Sequence, residues 1–168
     1  FQHPSTSPSG AVSPMALRTA MGDGVSELHF ASPLPASLVA LLGTRQVDED
    51  EQHELDTRGI SPVGHIEPEL PDRLGERLRA MGATHLYVHL GLDVLDPSEI
   101  TGVHSPVPFG LTLAQLTSAI AEAVSVLPLA GAAICEFAPA SPEEAADDIP
   151  TVLRLLSALT SGTAKHGR

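Results

Sequence analysis

His85-Leu86-Tyr87-Val88-His89-Leu90-Gly91-Leu92-Asp93-Val94-Leu95-Asp96-Pro97 is the stretch on which the architecture turns. Leu86, Val88, Leu90, Leu92 and Val94 alternate with His85, Tyr87, His89, Gly91 and Asp93, the period-two pattern of a strand. This predicts a strand over 85–94 with one unbroken apolar face. It runs into Asp96 and Pro97 and then into Thr101-Gly102-Val103-His104-Ser105-Pro106-Val107-Pro108-Phe109-Gly110, which has the composition of a loop. An acidic loop at a strand end reads as a metal-site loop.

On both sides the chain alternates strand-like and helix-like segments. Ser37 to Gly43 is a short apolar run that predicts a strand, followed by the helix-compatible stretch Asp48 to Arg58, and Ile60 to Gly64 repeats the strand signal. Glu67 to Met81 places Leu70, Leu74, Leu78 and Met81 at spacings of four, four and three, the stripe of an amphipathic helix. Thr112 to Leu127 reads as a helix with Thr112 as N-cap, and Leu129 to Phe137 as another strand. A last helix starts near Pro142, capped by Ser141, with Glu143 and Glu144 in its first turn and Pro150 inside it. Before all of these, Phe1 to Pro14 reads as loop, Met15 to Met21 as a short helix, and Val25 to Phe30 as a short strand or connector.

Strands separated by helices of this length predict an α/β architecture, a parallel sheet with helices on its faces. Residues 1–162 are expected to form one such domain and 163–168 a flexible tail. Ligands of parallel sheets bind at the carboxyl ends of the strands. By that rule Asp48 and Glu51, then Asp93 and Asp96, then Glu136 would come from three strand ends to one rim.

Composition narrows the function further. Of 168 residues 42% are apolar and 18% charged, and no apolar run reaches the ~18 residues that span a bilayer. The formal charge of −12, from 21 acidic and 9 basic residues, opposes a nucleic-acid partner and suits a small cationic ligand, although surplus carboxylates equally serve to solvate a surface. Cys135 is the single cysteine, so no intrachain disulfide forms; a buried, inert thiol in a reducing cytoplasm is expected. The chain begins at Phe1 without a signal pattern, which suggests a piece of something longer.

Four segments, in order, carry a family resemblance. Gly91 to Pro97 and the loop after it resemble the Asp-x-Asp-x-x-Asp-Pro motif and Gly-Thr-Pro loop of the ureohydrolases, the arginases and agmatinases. Phe1 to Arg18, with Thr6-Ser7-Pro8-Ser9-Gly10, is similar to their substrate loop and following helix; Leu41 to Asp48 resembles Gly-x-Arg-x-x-Asp; Cys135-Glu136-Phe137-Ala138-Pro139 resembles Glu-Val-Asn-Pro. The resemblance implies an arginase-like three-layer domain lacking its N-terminal portion. It also implies hydrolysis of a small guanidino compound with release of urea, and assembly as a homo-oligomer, trimer or hexamer. The cofactor implied is a manganese (Mn2+) pair, which lowers the pKa of a bridging water.

Residue by residue, the resemblance makes Asp93 the family's terminal metal aspartate and Glu136 the catalytic carboxylate facing the guanidinium. Asp48 would contact the substrate's amino end, Glu51 a weaker substrate position, Ser9 the substrate loop, and Ser105 the place of the family's threonine. The departures matter as much. Gly91 stands where a bridging aspartate is expected, the Asp-Ala-His-x-Asp motif would end just before Phe1, and Ser13 stands at the proton-shuttling histidine. Gln2 and Ala11 take the places of substrate-loop asparagines. With at most one expected metal ligand, the chain is expected to be impaired or inactive alone. The alternative is a non-catalytic module that binds a guanidino ligand or assembles an oligomer.

Simpler roles compete at several positions. His85, His89 and Asp93 lie four apart along a strand, ~13 Å per step, too far to share one ion, so both histidines are expected to pack under helices. Asp48 and Glu51 can simply open a helix. Asp93 is either a metal ligand in an intact parent or a relic that bonds the loop backbone. Asp96-Pro97 is expected to shape the turn. His104 is a site residue or a solvated loop histidine, and His53 and His65 are expected on the surface. Glu136, ending an apolar strand, is expected to be buried and to need a partner.

Overall fold

A computed structural model of the chain describes residues 1–5, 7, 10–24, 26–63 and 69–162. Its helices and strands are α1 (Ala16–Ala20), α2 (Glu49–Thr57), α3 (Leu70–Ala80), β1 (Leu86–Gly91), α4 (Leu113–Val126), β2 (Leu129–Cys135) and α5 (Pro142–Thr160). They fall into two units, Phe1–Leu41 with Gln46–Ser61 and Leu42–Arg45 with Pro62–Arg168.

In the first unit Val39, Leu55 and Ile60 are buried, and Phe1, Leu17, Met21 and Leu34 pack against them. Arg18 is also buried, which is tolerable only because its charge is matched. It meets Asp23 at 2.9 Å and Glu54 at 3.0 Å, and Arg58 reaches the same two carboxylates at 2.5 and 3.3 Å. Both guanidinium groups lie over the Phe1 ring. Burial pushes the Asp23 carboxyl up, but the charges and hydrogen bonds of Arg18 and Arg58 outweigh it and hold the group below its ordinary range.

The second unit is built on β1 and β2, paired in parallel from Tyr87 opposite Gly131 to Gly91 opposite Cys135. A parallel pair needs a crossover, and α4 supplies it. Thr112 accepts the Gln115 amide at 3.2 Å while the Gln115 side chain accepts the Thr112 amide at 2.9 Å, so both ends of a capping box are closed. Leu113, Leu116, Ile120 and Val124 form the buried stripe of α4. Helix α3 buries Leu70, Leu74 and Leu78, and α5, capped by Ser141 on Glu144 at 3.1 Å, buries Leu155 and Leu159. Helices therefore flank a parallel sheet, as the alternation predicts.

Several local expectations change. No strand forms over 37–43: Ala36–Leu38 is a 3-10 turn after Pro35, Val39 is buried in the first unit, and Leu42 makes one isolated bridge with Val63. An apolar run records burial, and burial does not require a ladder. The strand signal at 60–64 shrinks to that same bridge, and Gly64 lies outside the described residues. So do His65 and the predicted helix start at Glu67. Strand β1 stops at Gly91 because Leu92–Val94 turn into a 3-10 helix, and β2 stops at Cys135, which is only half-buried. His85 and His89 do not pack under helices. The alternation that buries Leu90 turns them to the open side, and both are exposed, as is Tyr87 at 64%. Residues 163–168, read as a tail, lie outside the described residues. Among the described residues no helix is long and apolar enough to cross a membrane.

Leu55 is 1% exposed at the centre of the first unit. Leu55→Ala is expected to cost about 2–5 kcal/mol in urea unfolding followed by circular dichroism. A loss under ~0.5 kcal/mol, the scale of surface substitutions, would contradict its place in the core.

Candidate functional site

The register of the two strands fixes the candidate site. Gly91 faces Cys135, so the turn carrying Asp93 and the residue after β2, Glu136, leave the sheet side by side. A Cβ placed on Gly91 would lie 2.5 Å from Asp93 Oδ1 and 3.9 Å from Glu136 Cγ. The Asp93 carboxylate thus occupies the space that a side chain at 91 would enter. Gly91, Asp93 and Glu136 meet at the carboxyl end of β1 and β2.

The backbone of the Asp93 turn is held by Arg45. Its guanidinium donates to the carbonyls of Gly43 at 3.2 Å, Val94 at 3.0 Å and Asp93, while its Nε is buried without a partner among the described residues. Gly43, at φ 73°, makes this approach possible, since a Cβ there would run into the Val94 side chain. Arg45 lies inside a segment quoted for its resemblance, but nothing in the sequence marks it as a clamp on carbonyls.

Glu136 departs from its expected place. It is exposed and adopts φ 69°, a left-handed conformation that costs a residue with a Cβ roughly 1–2 kcal/mol. The strand alternation ends one residue earlier, so the carboxylate is not drawn into the apolar layer. Just beyond it, Phe137 bridges antiparallel to Val103, and the Ala138 amide donates to the Gly102 carbonyl at 2.8 Å.

Asp96 shapes its turn, as its pairing with Pro97 suggests. It accepts from the Ser98 amide at 3.0 Å, the Ser98 hydroxyl at 2.7 Å and the Gly110 amide at 3.2 Å. The Ser98 hydrogen bonds, with those from the Gly110 and Phe109 amides, outweigh desolvation and hold its carboxyl below the ordinary range. Ser105 and His104 are exposed in the loop that follows.

Asp48 and Glu51 belong to the first unit, and their simpler role is realised there. Asp48 caps α2 by accepting the Glu51 amide at 2.7 Å, and the Glu51 carboxylate accepts the Asp48 amide at 3.3 Å. Glu51 also meets the Phe1 amino group at 2.5 Å. Ser9 lies outside the described residues. A manganese pair does not fit the donors present: Gly91 has no side chain, and among the described residues no three His, Cys, Asp or Glu side chains are grouped to hold a metal ion. Hard cations need several oxygen ligands at once.

The arginase family model matches residues 2–157. The chain belongs to the arginase family. It is similar to the arginase of Bacillus caldovelox, 38% identical over 64% of this chain and 39% of that one, and to the arginase of Entamoeba histolytica, 29% identical over 93% of this chain and 54% of that one. Among solved structures, Entamoeba histolytica arginase in complex with L-ornithine superposes with a TM-score of 0.85 at 24% identity, over 95% of this chain and 56% of that chain. Native Bacillus caldovelox arginase gives a TM-score of 0.83 at 26% identity, over 95% and 56%. The fold is arginase-like, and the chain spans about half the length of the arginases it matches.

With its folded pKa depressed, Asp96 contributes stability that is complete above the ordinary carboxylate value of about 3.9 and is lost as pH falls through the lower folded value. A carbon-detected NMR titration of Asp96, with the Ser98 and Gly110 amides as reporters, should show one midpoint below about 3.9. A midpoint at or above that value would show that these hydrogen bonds do not favour the charged form.

Proposed function

We propose that this chain is a guanidino-recognising member of the arginase family, descended from a manganese-dependent ureohydrolase, that does not release urea by itself. The observation that carries the reading is the meeting of Glu136 and Asp93 at a position where Gly91 supplies no metal ligand. A carboxylate can hold a guanidinium by paired, charge-assisted hydrogen bonds, and a second carboxylate nearby reinforces the attraction. Because Glu136 is exposed, solvent screens that pair, so affinity on the order of millimolar is expected. The family likeness also gives Asp48 the ligand's amino end, Glu51 a weaker substrate position, Ser9 the substrate loop and Ser105 the place of the family's threonine. They are secondary in this reading, because the first two already close a helix cap. L-Arginine and agmatine, which carry the guanidinium, are the ligands to try, and L-ornithine, bound by the Entamoeba histolytica arginase, is the control that lacks it. The lone cysteine agrees with a reducing, cytoplasmic setting.

A second reading, self-assembly, is favoured by one feature of α5. Ile149, Leu153 and Leu156, spaced by four and three, are exposed at 46%, 57% and 42%. An apolar stripe of this kind suits a second copy of the chain. Light scattering should then show an oligomer that Leu153→Asp dissociates, and a wild-type chain that is monomeric at high concentration would end this reading.

Calorimetry with agmatine and L-arginine is expected to show saturable binding that Glu136→Gln weakens at least about fivefold, the scale of one solvent-screened hydrogen bond. Urea assays with added manganese are expected to stay at background. Urea production by the wild-type chain would refute the proposed impairment, and unchanged binding by Glu136→Gln would refute recognition at this rim. In Gly91→Asp the new side chain is opposed chiefly by the Asp93 carboxylate, which can rotate away. A gain in manganese affinity is expected, and its absence would mean that this position is not the principal deficit.

A further inference from the structure

We propose that Asp148, on α5, is the positioning residue for Glu136 and acts on it through Thr101 and Gly102; the inference rests on the guanidino-recognition reading of the rim. Asp148 is only 6% exposed and occupies the buried stripe of its helix with Leu155 and Leu159. A carboxylate on an apolar stripe is costly unless its oxygens are engaged. Here they accept from the Gly102 amide at 2.6 Å and from the amide and hydroxyl of Thr101, each at 3.3 Å. Oδ2 accepts from all three donors and Oδ1 shares the Thr101 amide, so neither oxygen is left without a donor.

The contact leaves no slack. A Cβ on Gly102 would lie 2.8 Å from Asp148 Oδ2 and 2.9 Å from Pro139 Cβ, so helix, loop and strand exit are pressed together at a residue that must be glycine. Gly102 then passes the constraint on. Its carbonyl takes the Ala138 amide at 2.8 Å, and its neighbour Val103 bridges Phe137. The two residues after Glu136 are therefore anchored on the loop segment that Asp148 grips. Glu136 is left-handed, exposed and unfavourable on its own, and such a conformation persists only where its surroundings fix it. A second tie from the same helix, the Thr151 hydroxyl donating to the Glu99 carbonyl at 3.4 Å, secures the start of the loop.

The test compares wild type, Asp148→Ala and Asp148→Asn by amide hydrogen exchange and agmatine calorimetry. Asp148→Ala should speed exchange of the Gly102 and Ala138 amides about tenfold, as loss of a charge-assisted bond implies, while the Leu116 amide of α4 is unchanged. It should also weaken agmatine binding about fivefold or more, whereas Asp148→Asn, which keeps one acceptor oxygen, should bind within about twofold of wild type. Equal acceleration at Leu116 would reveal a merely structural role and overturn the proposal. In Asp148→Ala, unchanged exchange at Ala138, or unchanged binding with faster exchange, would also overturn it. If Asp148→Ala does not fold, Asp148→Asn decides alone: about threefold faster exchange at Gly102 and Ala138 is expected, and no change overturns the proposal. Absence of agmatine binding by wild type would remove the recognition reading, while the exchange results would still decide whether Asp148 holds the backbone beyond Glu136.

Discussion

The parallel register of β1 and β2 is the constraint from which the candidate site follows. Gly91 opposite Cys135 means that two segments far apart in sequence leave the sheet at the same level, one turning through Asp93 and the other through Glu136. A slip of one residue would separate them and reverse every side chain on the shifted strand. The capping box at Thr112 and the buried stripe of α4 fix the helix that joins the strands, so a small set of local choices in the crossover maintains the register. Arg45 then closes the Asp93 turn from a distant part of the sequence by gathering its carbonyls.

Much of this was legible in the sequence because helices announce their starts chemically. Asp48, Thr112 and Ser141 each stand where a side-chain oxygen accepts an early amide, and each caps a helix in the structure. The alternation from Leu86 to Leu90 likewise became a strand. The apolar run at 37–43 did not, because its pattern measures the need for burial and is silent about a hydrogen-bonding neighbour. The exposure of His85 and His89 has a related cause: alternation tells which residues share a face, not which face is covered.

The site residues were legible as types and not as conformations. Glu136 could be found as a carboxylate at a strand end, but its positive φ sits just before Phe137 and Ala138, which are tied to Val103 and Gly102 more than thirty residues away. Asp148 did carry a signal, since a charge seven and eleven residues before Leu155 and Leu159 falls on their stripe. Reading it needed the partner, and the partner is a backbone amide that no sequence pattern identifies.

Guanidinium recognition and metal-pair chemistry make different demands on a rim of carboxylates. Recognition of a guanidinium needs a carboxylate held at a chosen angle, which one residue and a firm backbone can supply. A metal pair needs several donors converging within about 2.0–2.6 Å of each ion, and losing a bridging side chain removes donors from both ions together. Gly91 supplies no donor to a metal ion and takes nothing from the Glu136 carboxylate. Glycine at position 136 would relieve the left-handed backbone, so a glutamate in that conformation carries a stability cost that glycine would not. A chain with an acidic surplus of 12 charges adds a field that favours cations near such a group. At the rim that field adds to the attraction that the Asp93 and Glu136 carboxylates themselves exert on a cation.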